Sequence, residues 1–207
     1  MNKILHVFDD MFPDAECELT HTNEFELLVA VMLSAQSTDA SVNKLTIDLF
    51  KKYKGPKDFV QVPISELEND LKQIGLYRNK AKSIKETSKI LLEKFDGKVP
   101  STMKELTSLK GVGRKTANVV LSVAFNIPSI PVDTHVDRVS KRLGLANEND
   151  NVLEVEKKLM EVIPKDKWNS SHHQFIFFGR YHCTARNPKC DQCDLISECV
   201  YNQTKYL

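Results

Sequence analysis

Leu109-Lys110-Gly111-Val112-Gly113-Arg114-Lys115-Thr116-Ala117-Asn118-Val119-Val120 contains two glycines one residue apart, followed at once by an apolar, helix-compatible run. Neither glycine carries a Cβ, so the backbone of this turn can lie close against a partner. The turn opens onto a helix N-terminus, where free N–H groups and the positive end of the helix dipole form an anion site. The stretch therefore predicts a tight hairpin that binds an anion through Gly111, Gly113 and Arg114.

Lys115 falls on the first turn of the helix that follows the hairpin. A cation is disfavoured near the positive end of a helix dipole, and burial disfavours it further. Both effects favour the neutral, nucleophilic amine. Many Gly-x-Gly hairpins only hold a nucleic-acid duplex and perform no chemistry. The stretch alone therefore leaves two hypotheses open, a phosphate clamp and a catalytic lysine.

The distribution of charge along the chain favours a polyanionic partner more than the total charge does. The 207 residues carry 29 Lys or Arg and 28 Asp or Glu, a net charge of +1. Residues 72–115, however, hold twelve basic and four acidic residues, and they lead directly into the glycine hairpin. Such a run is often only a solvated face, but one that ends in a phosphate-type loop fits a nucleic-acid footprint.

The remaining sequence predicts an all-α protein. Apolar residues recur at helical spacing along most of the chain, and no alternating strand pattern persists. The segment Leu27–Leu33 is apolar on all sides and is expected to be buried. No apolar run approaches the length of a bilayer span, and the N-terminus lacks a signal-peptide pattern, so a cytoplasmic protein without membrane contact is expected.

Four of the five cysteines lie close together near the C-terminus, as Cys183-x6-Cys190-x2-Cys193-x5-Cys199. In a cytoplasmic chain, metal binding is a better interpretation than disulfide bonds. Thiolates suit both zinc and iron–sulfur clusters, and the spacing leaves both open. Cys17 stands apart and is expected to be a small core residue.

Four motifs in this order resemble the bacterial endonuclease III family, base-excision DNA glycosylases with apurinic/apyrimidinic lyase activity. They are Ser34-Ala35-Gln36-x-Thr38-Asp39, the hairpin Gly111–Ala117, Val132-Asp133-Thr134-His135 and the cysteine array. The likeness extends from about residue 23 to about residue 200. It implies a two-lobed helix-hairpin-helix glycosylase fold. A six-helix lobe would span residues 22–132, with the hairpin element at about 106–126, and residues 1–21 would join 133–207 in a second lobe.

The resemblance also implies ligands and roles for particular residues. A [4Fe-4S] cluster would be held by Cys183, Cys190, Cys193 and Cys199. Double-stranded DNA with damaged pyrimidines or abasic sites would cross the cleft between the lobes of a monomeric, nucleoid-associated enzyme. Lys115 matches the catalytic lysine and Asp133 the catalytic aspartate, although residue chemistry alone favours Asp133 as a helix N-cap. Gln36 would fill the gap left by the extruded base, and Leu76 would wedge into the base stack.

The sequence departs from the family pattern at two positions, and it leaves two rival functions open. Lys110 stands where the family commonly has proline, and Asp137 where an aromatic is frequent. One rival is a monofunctional adenine glycosylase, whose members typically lack the hairpin lysine, carry a glutamate near Ala30 and have an extra C-terminal domain. Lys115, Ala30 and the last residue, Leu207, count against it. The other rival is a non-catalytic iron–sulfur DNA-binding module.

Overall fold

The computed structural model describes residues 1–205, and it contains no β-strand within that range. The expectation of an all-α protein is confirmed. The chain divides into two compact units, Cys17–Asn126 and Met1–Glu16 with Ile127–Leu207, which we call the central unit and the terminal unit. The lobe boundaries expected from the resemblance stay predictions, and residues 206 and 207 of the second lobe lie outside the described residues.

The central unit is built around one fully apolar helix. Every side chain from Leu27 to Leu33 is buried, as the sequence predicts, and the neighbouring helices cover them with leucine, isoleucine and valine. Its helices are α2 (Glu24–Ser34), α3 (Asp39–Lys52), α4 (Pro56–Gln61), α5 (Ile64–Leu71), α6 (Tyr77–Lys94), α7 (Met103–Thr107) and α8 (Arg114–Phe125).

The sequence predicts that Gly55-Pro56 stops the helix that begins at Asp39, and α3 does end before it, at Lys52. Pro56 also begins α4, because the missing N–H of proline is harmless at the first helical position. One local expectation is wrong: Ser65-Glu66-Leu67-Glu68 has the form of a capping box, but Ser65 does not cap α5, which already begins at Ile64 after Pro63 and has no side-chain cap. Proline therefore starts or precedes both of these helices.

The terminal unit joins the two ends of the chain through aromatic packing. The ring of Phe8 lies 4.9 Å from that of Phe175 and 5.1 Å from that of Phe178. These rings bring the N-terminal helix onto the C-terminal helices and form the core of the unit. Its helices are α1 (Asn2–Met11), α9 (Thr134–Arg142), α10 (Val152–Val162), α11 (Trp168–Phe177) and α12 (Val200–Lys205), with a π-helical turn at Phe178–His182.

Residues 1–205 contain no helix with the length and apolarity that crossing a membrane requires.

Candidate functional site

The glycine stretch forms the expected hairpin between α7 and α8. Gly111 adopts the left-handed backbone region with φ of 76°, and the Val112 N–H donates to the Leu109 carbonyl at 3.2 Å. The Val112 side chain is buried and anchors the hairpin in the core. Gly113 is the N-cap of α8, and no side chain caps this helix terminus.

The two glycines are required for different reasons. A Cβ on Gly111 would lie 2.8 Å from Ser83 Cβ, and its positive φ already disfavours other residues. A Cβ on Gly113 would have no neighbour within 4 Å. The fold therefore requires glycine at position 111, whereas at position 113 no contact within the protein requires it. This is expected where a binding partner approaches the backbone.

Lys115 and Arg114 both lie on the first turn of α8, and both side chains are exposed. The burial that the sequence argument invoked for Lys115 is therefore not found. The first turn of α8 follows Gly113, around which there is open space, and the core-facing side of the helix begins only at Ala117. The amine of Lys115 is accessible to a ligand at the mouth of the hairpin.

Gln36 and Leu76 lie on two neighbouring turns. Both residues adopt the left-handed region, with φ of 56° and 57°, and both are exposed. A Cβ on Gly75 would lie 3.7 Å from the Gln36 carbonyl oxygen, which is van der Waals contact. From residue chemistry alone, Leu76 would be an ordinary buried leucine, but its side chain is 53% exposed.

One face of α6 supports the hairpin and both of these turns. Lys80 donates to Ser37 Oγ beside Gln36, Ser83 packs against Gly111, and Thr87 Oγ1 donates to the Lys110 carbonyl at 2.8 Å. These positions are three or four residues apart and so share one helix face. Sequence reasoning missed this platform, because a polar stripe on a basic helix is more often solvated. Ser and Thr at helical spacing were the available signal.

The basic stretch before the hairpin is therefore less uniformly exposed than expected. Lys80 is only 6% exposed, and the ammonium of Lys85 donates to the Phe59, Val60 and Val62 carbonyls at the end of α4. From the sequence, lysines 80, 82, 85 and 89 are expected mostly to line the outer face of this basic amphipathic helix, but Lys80 and Lys85 point into the central unit. Lysines 82 and 89 are exposed, as predicted.

In the terminal unit, Asp133 is the N-cap of α9. Its Oδ1 accepts hydrogen bonds from the backbone N–H groups of His135 and Val136, both at 2.8 Å. Its Oδ2 accepts none from residues 1–205. One carboxylate oxygen therefore fixes the helix start, and the other stays available, so capping and a catalytic role are compatible.

The start of α9 is held in place by the π-helical turn. The Arg138 guanidinium donates to the Gly179 carbonyl at 2.8 Å and to the Cys183 carbonyl at 3.3 Å. A Cβ on Gly179 would lie 2.9 Å from His135 Cβ, so only glycine allows this close approach. Burial lowers the pKa of His135. His135 thus packs at the start of α9 against Gly179.

The cysteine loop is attached to the end of α9 by Arg142. One guanidinium nitrogen donates to Cys183 Sγ at 3.3 Å and to the Thr184 carbonyl at 2.7 Å, and the other donates to the Ala185 carbonyl at 3.0 Å. The same guanidinium lies 4.3 Å from the centre of the Tyr201 ring. Arg142 therefore connects both ends of the loop, a function that its sequence position does not reveal.

The all-cysteine donor set of this loop fits an iron–sulfur cluster, which four Cys thiolates hold. Burial raises the pKa of the Cys193 and Cys199 thiols, and neighbouring cysteines of the array act in the same direction. Cluster ligands bind as thiolates, so binding of iron would have to offset this effect at both positions.

The two departures from the family pattern are accommodated locally. The Lys110 carbonyl accepts the hydrogen bond from Thr87, which fixes the hairpin entry where the family has proline. The Asp137 carboxylate forms an ion pair with Lys141 at 3.0 Å, one helical turn further along α9. Neither residue disturbs the main chain of its motif.

The helical fold, the glycine hairpin and the cysteine loop define a class of base-excision repair proteins. A family model described as "HhH-GPD superfamily base excision DNA repair protein" matches residues 29–165. A second model, the iron–sulfur binding domain of endonuclease III, matches residues 183–195. Endonuclease III of Bacillus subtilis is 60% identical over 95% of this chain and 90% of its own length. The chain belongs to the endonuclease III family.

Further relatives give the same result. Endonuclease III of Rickettsia prowazekii is 45% identical over 97% of this chain and 94% of its own. A solved structure of a trapped endonuclease III–DNA covalent intermediate, an estranged-adenine complex, is 56% identical and has a TM-score of 0.95. It covers 98% of this chain and 95% of that one. The cofactor of the family is a [4Fe-4S] cluster, and the four cysteines of the loop stay its predicted ligands.

We expect the purified protein to contain about four iron and four sulfide per chain and to be yellow-brown. Cys190→Ser should lose cluster and tail order together, because ligand binding and local folding are coupled. Cys17→Ser, a cysteine outside the array, is the matched control and should keep its full iron content. Iron, sulfide and zinc analysis checks this, and one zinc with no sulfide would contradict it.

Proposed function

We propose that this protein is a bifunctional DNA glycosylase and apurinic/apyrimidinic lyase that acts on oxidised pyrimidines in duplex DNA. The observation that carries the proposal is the exposed amine of Lys115 beside an uncapped helix N-terminus and the open Gly113 backbone. The hairpin offers a site for a DNA phosphate, and the amine stands next to it. That a related endonuclease III has been trapped as a covalent DNA intermediate supports a nucleophile of this kind.

Base extrusion is assigned to the two neighbouring turns of the central unit. A base inside a duplex is out of reach, so the nucleotide must leave the stack and the gap must be filled. The exposed Leu76 is apolar and suits a wedge between base steps, and the Gln36 amide can pair with the orphaned base. Because the two turns lie next to each other, the two side chains are presented together.

The chemistry is assigned to Lys115 and Asp133. The neutral amine of Lys115 attacks the sugar C1′, and the damaged base leaves with a proton. The C1′–O4′ bond of the sugar ring then opens, O4′ becomes a hydroxyl, and a Schiff base forms between Lys115 and C1′. The imine acidifies the C2′ proton, and its removal expels the 3′ phosphate by β-elimination, which cleaves the strand. The Asp133 carboxylate stabilises the positive charge that develops on the sugar and helps to transfer protons through its uncommitted Oδ2.

In this proposal the [4Fe-4S] cluster, when bound, would hold the cysteine loop together and would have a structural role. Arg186 and Lys189 lie within the loop and are suited to contact phosphate. We further propose that the protein acts as a monomer in the cytoplasm, on the bacterial nucleoid.

Borohydride trapping on a duplex with an abasic site tests the proposed function. Reduction of a lysine Schiff base would give a stable protein–DNA adduct, together with strand cleavage in the unreduced reaction. Binding without adduct or cleavage would instead fit a non-catalytic iron–sulfur DNA-binding module. Excision of adenine without strand cleavage would fit a monofunctional adenine glycosylase.

Paired glycine variants should separate folding from DNA binding. Gly113→Val meets open space, so it should lower stability by no more than about 1 kcal/mol, while weakening binding to damaged and undamaged duplex alike. Gly111→Ala should instead lower the melting temperature, because of its positive φ and the contact with Ser83. Thermal melts and binding titrations at several salt concentrations check both. A selective loss for damaged DNA in Gly113→Val would show that the hairpin reads the lesion.

A further inference from the structure

Lys80 is a buried lysine to which the proposed reaction gives no role. It lies one turn into α6, is 6% exposed, and its ammonium donates to Ser37 Oγ at 3.0 Å. Its backbone N–H donates to the Leu76 carbonyl, also at 3.0 Å. A single residue therefore binds the turn that carries Gln36 through its side chain and the turn that carries Leu76 through its backbone.

Both turns need such a restraint. Gln36 and Leu76 are not glycines, yet each adopts the left-handed region, which is disfavoured for residues with a Cβ. Such conformations persist only when surrounding contacts hold them, and they are concentrated at functional sites. The two turns approach each other at Gly75 and the Gln36 carbonyl, and the Lys80–Ser37 hydrogen bond involves the residue that follows Gln36.

Packing alone does not explain a lysine at this position, because burying its amine costs free energy. Burial lowers the pKa of Lys80, and no carboxylate of the described chain counteracts that effect. A methionine of similar length would fill the same space without desolvating a polar group. What the amine provides, and methionine would not, is the hydrogen bond to Ser37.

We propose that Lys80 is a positioning residue that locks the Gln36 turn against the Leu76 turn, so that both side chains enter the duplex as one unit. The inference rests on the proposed function, because it assumes that Gln36 and Leu76 act in base extrusion. Lys80 itself does not touch the reacting sugar in this proposal. It acts through Ser37 on the geometry of the turn.

The test compares Lys80→Met and Ser37→Ala, which remove the same hydrogen bond from opposite ends. The first readout is the fluorescence of 2-aminopurine placed beside a tetrahydrofuran abasic analogue in a duplex, which reports local unstacking. The second is single-turnover excision of an oxidised pyrimidine from duplex DNA. The third is borohydride trapping on a single-stranded abasic oligonucleotide, where no base has to be displaced from a duplex.

Both variants should lose most of the 2-aminopurine signal and slow duplex excision by about 10- to 100-fold, the scale expected for misplaced groups. Trapping on the single strand should stay within about twofold of the wild type. The double variant should be no worse than the more impaired single one, because the two residues share one interaction.

Lys85→Met is the matched control. It removes another inward-pointing amine of α6, but one that binds the end of α4 and not the two turns. It should lower thermal stability while leaving unstacking and duplex excision unchanged. If Lys80→Met behaves like Lys85→Met, or if its effect and that of Ser37→Ala are additive, the proposal is overturned.

The design also separates this inference from the proposed function. If the wild type forms no borohydride adduct, the lyase assignment fails, while the 2-aminopurine comparison still reports on Lys80. If Lys80→Met does not fold, Ser37→Ala tests the same hydrogen bond from its other end, at a residue that is only partly buried. An unchanged 2-aminopurine signal in Ser37→Ala would then overturn the proposal.

Discussion

Lys115→Gln should abolish the borohydride-trapped adduct and both cleavage steps, while the variant still binds lesion-containing duplex. Glutamine keeps a polar side chain of similar reach but has no amine, so no Schiff base can form. Folding should be unaffected, because the Lys115 side chain is exposed and packs against nothing in the core. Trapping, base release and strand cleavage under single-turnover conditions measure the loss, and a binding titration measures what is retained.

Lys110→Gln provides the matched control for this variant. Lys110 is another exposed lysine of the same hairpin. Its backbone carbonyl accepts the hydrogen bond from Thr87, and the substitution does not change this backbone group. The adduct should persist in this variant. If Lys115→Gln instead loses only affinity, with trapping restored at high protein concentration, Lys115 is a phosphate contact. Lys110 or the N-terminal amine would then be the next candidates for the nucleophile.

The exposure of Lys115 changes the argument for its reactivity. The sequence argument relied on both the helix dipole and burial, and only the position at the start of α8 is found. In the free protein, the Lys115 side chain is exposed to solvent. Removal of water around it is therefore expected only when DNA covers the hairpin, which would couple activation of the nucleophile to substrate binding.

The parts of the site that local chemistry determines could be predicted from the sequence. The hairpin follows from Gly111 and Gly113, the buried α2 from its unbroken apolar run, and the cap at Asp133 from its place before a helix. The cysteine spacing indicated a metal site but did not distinguish zinc from a cluster. In each of these cases the signal lies within a few residues of the feature.

The parts that depend on tertiary partners could not be predicted. Lys80 and Lys85 are charged residues of the kind that usually lines a solvent-exposed helix face. Only their hydrogen bonds with Ser37 and with the end of α4 explain why these side chains point inward. Arg142 is one of 29 basic residues, and only the fold places it against the Cys183 sulfur. Gly179 is explained only by the close approach of His135. Hydrophobic periodicity carries no information on such pairings.

Asp133→Asn should slow base excision by about 100-fold or more, the scale of one lost acid–base group. Asparagine is as good an N-cap as aspartate, so its side-chain oxygen should still accept the two backbone hydrogen bonds at the start of α9. The variant therefore removes the negative charge and leaves the helix start in place. Its melting temperature should stay close to that of the wild type.

Asp133→Ala separates the cap from the charge. Losing the cap as well should lower stability by about 0.5–2 kcal/mol, so this variant should melt earlier than Asp133→Asn while excising bases no faster. Lyase action on a pre-formed abasic site should suffer less in both variants, because the base has already left and the sugar aldehyde reacts readily with an amine. Thermal melts, single-turnover excision and abasic-site cleavage, measured side by side, distinguish the two roles. If Asp133→Asn excised bases at the wild-type rate, Asp133 would act only as a helix cap. The stabilisation of charge on the sugar would then have to come from another group.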